Sequence, residues 1–494
     1  MIEKCDLERC VVAGRGQGRR SSALLATILA VVGLLTGCAQ LTSGHAVIGH
    51  ASLPVKGDSH GPFDTEVKDA LADVIAFWTK TYPAIAHGRR LPPLRGNLYS
   101  INGDDVVRTH EAPVYAGSNA CLQERLTFII DNAAYCRLDD SIVWDRGSDH
   151  LLPVLVRQYG RALLALVFAH EFGHAIQNRL HLEHVASSTI DLESQADCAA
   201  GAFVGYALAG HAPHFPITKP ELDRALEGYF QVRDSTPAST QDISHGNGFD
   251  RLNALQNGIA KGASYCFSKN YYKNLTYTER GFVTDQDYLQ GGNQPLAEEL
   301  GKDGIAPDLN RFWTTAGQPV HKTFQPVRLQ EADHPACGSI SSASEFGYCP
   351  DDNTVYYSAG FAQSAYNSIT TIEVDPHTAA VTIKPDQPGD FALGELISIA
   401  WGMAARHQFF AGSTDDQAGL MAAICYSGAY AHDINRARGD KTHKFLLSPP
   451  DMDEATLADL QLVPMDTAFG ARGTTGLQRI QEFVKGYAGG LGAC

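Results

Sequence analysis

The residues of this chain whose types and spacing could do chemistry are His170-Glu171-Phe172-Gly173-His174. A helical period of 3.6 residues places positions i and i+4 on one face, so both imidazoles point the same way. Two neutral imidazoles about one turn apart can chelate a zinc ion. Glu171 then lies where it can take a proton from a water on the metal. The motif sits within Leu163–Gln177, a run with no helix breaker except Gly173. So short a pattern also occurs by chance on ordinary buried helices, and its context has to decide.

A catalytic zinc needs a third protein ligand and an open position. Glu193, nineteen residues after His174, lies in Asp191-Leu192-Glu193-Ser194-Gln195-Ala196-Asp197-Cys198, where Glu193 and Asp197 are four apart and share a helical face. Glu193 can complete the coordination. Asp197 can hold a ligand imidazole by its ring N–H, as carboxylates behind metal-bound histidines do. An arbitrary acidic pair is more often an exposed one, but Ala196, Cys198, Ala199 and Ala200 are small and apolar, which predicts a buried helix. A loop histidine, His245 in Ser-His-Gly-Asn-Gly, is the candidate further donor to a developing oxyanion.

These elements belong to a repeat. Phe77-Trp78-Thr79 recurs at Phe312-Trp313-Thr314, and Tyr135-Cys136 with its acidic turn recurs at Tyr348-Cys349. Gly248–Cys266 aligns without a gap onto Gly476–Cys494, with Arg251 on Arg479. The expectation is two copies of one α+β domain, at about 62–275 and about 276–494. Eight cysteines then fall into two matching sets, which predicts the pairs Cys121–Cys136, Cys198–Cys266, Cys337–Cys349 and Cys425–Cys494. Aligning Ala169–His174 with Ala400–Ala405 removes every metal ligand from the second copy. It also sets Asp197 opposite Gly419 and Glu193 loosely opposite Asp415, so the second copy reads as structural, substrate-shaping or regulatory. His407 and Asp415 read as ordinary surface residues.

The chain has 494 residues, 44% of them hydrophobic and 19% charged, and a formal charge of −16 that no single acidic tail carries. A nucleic-acid surface needs a basic stripe, and a nucleotide site a Gly-rich phosphate loop; the sequence contains neither, so neither partner is expected. Residues 1–37 read as a signal peptide: five basic residues precede the apolar run Ala23–Leu35, too short for a membrane span. Leu35-Thr36-Gly37-Cys38 resembles a bacterial lipobox, which implies cleavage before Cys38, a lipid on it, and anchoring at the outer face of the cell membrane. Residues 38–61 read as the tether. In an exported chain an even number of cysteines points to disulfides.

His-Glu-x-x-His on one helix and Glu-x-x-x-Asp on the next resemble the gluzincin branch of zinc metallopeptidases. More narrowly, Tyr135-Cys136, His170–His174, Gln195–Cys198, and His245-Gly246 with Arg251 resemble a bacterial neutral zinc metallopeptidase family, here in the form of actinobacterial lipoprotein peptidases. The resemblance covers residues about 63–270 and implies a zincin-like fold, one catalytic zinc on His170, His174 and Glu193, and hydrolysis of a peptide or protein substrate with Glu171 as general base. The competing expectation is a non-catalytic envelope scaffold whose second copy is the working module.

Overall fold

In a computed structural model, the described residues are 49–494 except 125, 187, 235–244, 276, 279–280, 283, 318–321, 334–336, 338–343, 411–416, 437–444 and 462–472. Cys38 and Asp415 lie outside them. Residues 45–494 form one compact unit of mixed helix and strand.

Two runs of elements follow the same order. The first comprises helix α1 (Pro62–Ile85), strands β2 (Leu98–Ile101), β3 (Ala133–Cys136) and β4 (Ser141–Asp145), and helices α2 (Leu151–Tyr159), α3 (Ala162–Leu180), α4 (Thr189–Leu208), α5 (Lys219–Phe230) and α6 (Gly248–Lys261). After a short helix α7 (Leu296–Glu299) come α8 (Ile305–Gly317), β5 (Arg328–Glu331), β6 (Phe346–Cys349), β7 (Thr354–Tyr357), α9 (Ala359–Tyr366), α10 (Asp390–Phe410), α11 (Gln417–Arg436), α12 (Asp451–Gln461) and α13 (Gly476–Gly489). The second run inserts a hairpin, β8 (Ile369–Val374) and β9 (Val381–Gln387), before α10. In the first sheet β2 runs parallel to β4 and β3 antiparallel to it; β5, β7 and β6 repeat that arrangement. Tyr135 faces Ile142 as Tyr348 faces Val355.

Residues 49–61, expected as part of the tether, instead belong to the fold. Strand β1 (Val55–Lys56) extends the first sheet beside β2, and His50 and Asp58 bind Asp69 and Lys68 of α1 at 2.7 Å each. Any tether is confined to residues before them.

Small residues set how closely the helices cross. A Cβ on Gly173 of α3 would sit 3.1 Å from Ala196 Cα of α4, and one on Gly201 would fall onto the Leu255 carbonyl oxygen of α6. In the second run Gly402 of α10 meets Ala423 of α11, and Gly428 meets the Phe483 carbonyl of α13. These crossings correct the sequence alignment. Gly402, not Ala404, stands where Gly173 does, so Ile399, Ala400 and Met403 occupy the places of His170, Glu171 and His174. Counting back from Cys425, Leu420 and Ile424 take the places of Glu193 and Asp197, displacing Asp415 and Gly419. All five replacements are apolar and buried. His407 is exposed.

Disulfides join Cys121–Cys136, Cys198–Cys266, Cys337–Cys349 and Cys425–Cys494, the four pairs expected from the repeat. Four such bonds suit an oxidising, extracytoplasmic compartment. Among the described residues no helix is long and apolar enough to cross a membrane.

The runs interlock. Asp453 of α12 accepts the N-terminal amides of Gly248 and Phe249 in α6, at 3.2 and 2.9 Å. Asp223 of α5 likewise accepts those of Gly476 and Leu477 in α13, at 2.8 and 3.2 Å. Phe249 is buried in the core of the second run, and Leu457 and Leu460 in that of the first.

Candidate metal centre

Helix α3 is almost wholly buried, and its crossing with α4 at Gly173 brings four sequence-nominated groups together. His170 Nε2 lies 3.1 Å from Glu193 Oε2 and 3.1 Å from His174 Nε2, and His174 Nε2 lies 3.4 Å from the same Glu193 oxygen. Tetrahedral zinc with bonds of about 2.0–2.1 Å separates its donors by roughly 3.3–3.4 Å. The triangle of nitrogen, nitrogen and oxygen atoms is therefore the right size for one face of such a polyhedron.

The rear nitrogens settle what the front ones offer. His170 Nδ1 is 2.7 Å from Asp197 Oδ1, and a carboxylate only accepts, so Nδ1 carries the proton. His174 Nδ1 is 2.9 Å from Gln177 Oε1. That amide is oriented because Gln177 Nε2 donates to the Leu192 carbonyl at 2.6 Å and to Gln195 Oε1 at 3.2 Å. In the neutral imidazoles both Nε2 atoms are thus lone pairs, and they face each other and a carboxylate oxygen across little more than 3 Å. Three acceptors aimed at one point repel unless a cation stands between them. The donor set fits zinc.

The electrostatics agree. Burial opposes charge on His170, but the carboxylates of Asp197, Glu193 and Glu171 outweigh it and carry its pKa up to about 10. Glu193 is held well below the carboxylate range despite burial, by His174 and His170. Asp197, fully buried, is likewise lowered against burial by Arg251 and His170. Without a metal, protons would supply the positive charge these groups demand.

Asp197 is itself clamped. Arg251 Nε and Nη2 reach its two oxygens at 3.1 Å each, Tyr229 donates its hydroxyl to Oδ1, and Arg251 Nη2 donates to the Tyr229 oxygen at 2.8 Å. Sequence reasoning had Arg251, a repeat anchor, and Gln195 as parts of a family pattern without giving either a role, and missed Tyr229 and Gln177. Gln177 was detectable, being three residues beyond His174 on the same face; Tyr229 had no local signal.

Glu171 projects into the cleft, where Oε2 accepts the Tyr135 backbone N–H at 2.8 Å. Tyr135 belongs to β3, the end strand of its sheet. Cavities of about 300 Å³ and about 490 Å³ flank the donors and share Asn132, Ala133, Glu171 and His245. His245 is half exposed at their rim, with Nε2 3.9 Å from Glu193 Oε2 and Nδ1 3.4 Å from Asp234. A third cavity, about 420 Å³, shares Gln231, Arg233, Asp234 and Ile372 with the first and extends the cleft to the β8–β9 hairpin.

Comparison of the chain with protein-family models, with curated proteins and with solved structures finds no match in any of the three. The likeness to zinc metallopeptidases therefore rests on these residues alone.

Proposed function

We propose that the chain is a zinc-dependent peptide hydrolase. The observation that carries this reading is the convergence of three lone pairs, on His170, His174 and Glu193, beside a cleft-facing Glu171. Zinc bound there supplies a Lewis acid that makes water nucleophilic near neutral pH. Glu171, steadied through one oxygen by the Tyr135 amide, accepts the proton of the attacking water and returns it to the leaving amine. Asp197 and Gln177 hold the two imidazoles in the ligating tautomer. His245, at the rim, donates to the oxyanion. An extended substrate lies along the end strand β3, whose Ala133, Ala134 and Tyr135 line the cleft.

On this reading residues 276–494 are a degenerate copy of a zincin-like domain at 62–275. The repeated strand order, the matched disulfides and the equivalent glycine crossings support it. Ile372 of the second copy lines the cleft, which suits a substrate-shaping part. An exported protein lipid-anchored at Cys38 completes the proposal.

The test is the zinc content of the chain from residue 39 onward, beside Glu171→Gln, with hydrolysis of a mixed peptide library. One zinc in each and a loss of about 10²–10⁴ in kcat/KM for the variant is the expected result. Zinc in both with cleavage in neither favours the scaffold reading, and zinc in neither overturns the site.

A further inference from the structure

Far from the histidines along the chain, four carboxylates meet where α7, α10 and α12 approach one another. Asp390 opens α10, Asp451 and Glu454 lie in the first turn of α12, and Glu299 closes α7. All four are buried, Glu299 and Asp451 at 0% exposure. Oxygens of Asp390, Asp451 and Glu454 come within 4.8 Å of one another.

Helix N-termini explain part of this. The Phe391 amide is 2.9 Å from an oxygen of Asp390 and from one of Glu454, the Gln294 amide 2.9 Å from Asp390, and the Ser448 amide 2.8 Å from Asp451. Capping accounts for one oxygen of Asp451 and leaves Oδ1 without a hydrogen bond. It accounts for nothing at Glu299, whose two oxygens are both buried and both unbonded. The charges that act on Glu299 are those of Asp390 and Glu454, which puts it beside the cluster. Among the described residues no lysine, arginine or histidine forms an ion pair with any of the four. A buried carboxylate with neither charge partner nor hydrogen bond is strongly disfavoured. Two helix ends, at about half a charge each, do not balance four.

We propose that Glu299, Asp390, Asp451 and Glu454 form a calcium site. The donors are all oxygen, which excludes the preference for nitrogen and sulfur that marks zinc. Three or four carboxylates with a few carbonyls or waters suit the six to eight ligands of calcium better than the tight octahedron of magnesium. The ion would bind α7 to the starts of α10 and α12. Glu454 also lines the 420 Å³ cavity, which gives the cation a way in. This site is independent of the zinc site and of the peptidase reading.

The experiment uses the zinc-loaded chain from residue 39 onward, stripped with a calcium-selective chelator and titrated with terbium, whose emission a nearby phenol sensitises. Tyr366 is placed to do so: its hydroxyl donates to the Gln294 carbonyl at 2.9 Å, and Gln294 in turn binds Asp390. Sensitised emission should saturate at one ion per chain and be displaced by calcium at concentrations where magnesium has little effect. Calcium at about 100 to 1,000 times its Kd should also raise the melting temperature by roughly 3–4 °C. Glu299→Gln and, separately, Asp451→Asn should each weaken terbium and calcium at least tenfold while zinc content stays constant. Absent emission with no calcium-dependent melting shift overturns the proposal and leaves the four carboxyls sharing protons. Binding that both variants retain, or terbium that calcium does not displace, overturns it equally.

Discussion

A histidine is useful to a metal only once its other nitrogen has been committed, and His170 is committed through a chain of charge. Arg251 fixes Asp197, Asp197 fixes Nδ1, and Nε2 is left as a lone pair. Asp197→Asn keeps the shape but loses one arm of the guanidinium clamp. Zinc affinity should fall about 10–100-fold, read by competition with a chromophoric chelator. His245→Ala should leave zinc in place and lower kcat/KM by about 10²–10³; an unchanged value removes His245 from the proposal. His170 with His174, and Glu193 with Asp197, were legible because helical spacing puts each pair on one face, and Glu171 because it completes the histidine motif. Their union was expected from what a zinc ion needs; the crossing of α3 and α4 at Gly173 that brings it about was not legible. Tyr229 acts on the site from a position fixed only by tertiary packing, so nothing in its local sequence marks it.

The helices of each run are held at contact distance by glycine, where a side chain would meet backbone. Gly201→Ala in α4 and Gly428→Ala in α11 make the same intrusion into a neighbouring carbonyl. Each should cost about 2–3 kcal/mol, measured by denaturant midpoint. Only Gly201→Ala should also weaken zinc, because only α4 carries Glu193 and Asp197. The same glycines explain what was misread. Positions 391–405 offer little but apolar residues to align, so the sequence slid by two positions along α10. A close approach of backbones fixes the register, and that is visible only in three dimensions. The strand hairpins, whose period and turn residues are local, were aligned in the register that the two sheets share. So did Gly248–Cys266 with Gly476–Cys494, where arginine, glycine and cysteine anchor both ends.

At the scale of the molecule, the halves predicted at 62–275 and 276–494 share a compact body, and the second run buries acids that no sequence pattern announced. Glu395 of α10 accepts the Ser427 hydroxyl, and the charge of Asp459 of α12, whose oxygens have no hydrogen-bond partner among the described residues, acts on it. Burial and the charge of Asp459 push Glu395 well above the carboxylate range, and burial, only partly opposed by Arg479, lifts Asp459 to about 7. A carboxyl whose folded pKa is raised favours the fold while protonated, below about pH 4, and loses that contribution as pH rises through the folded value. Glu395→Gln, which removes one of the two buried charges, should therefore stabilise the protein by about 1–2 kcal/mol at pH 8. The gain should vanish towards pH 4, which thermal melts of both proteins across that range would reveal. The exchanged carboxylates carry a different consequence. Asp223 caps a helix of the second half and Asp453 caps its counterpart in the first, the reciprocity of an isologous, two-fold interface. The two runs thus meet as the subunits of a homodimer would. Residues 62–275 expressed alone would bare the amides of the very helix that carries Arg251. Light scattering should find that fragment either aggregated or paired with its own twin, each supplying through Asp223 the cap that Asp453 had given.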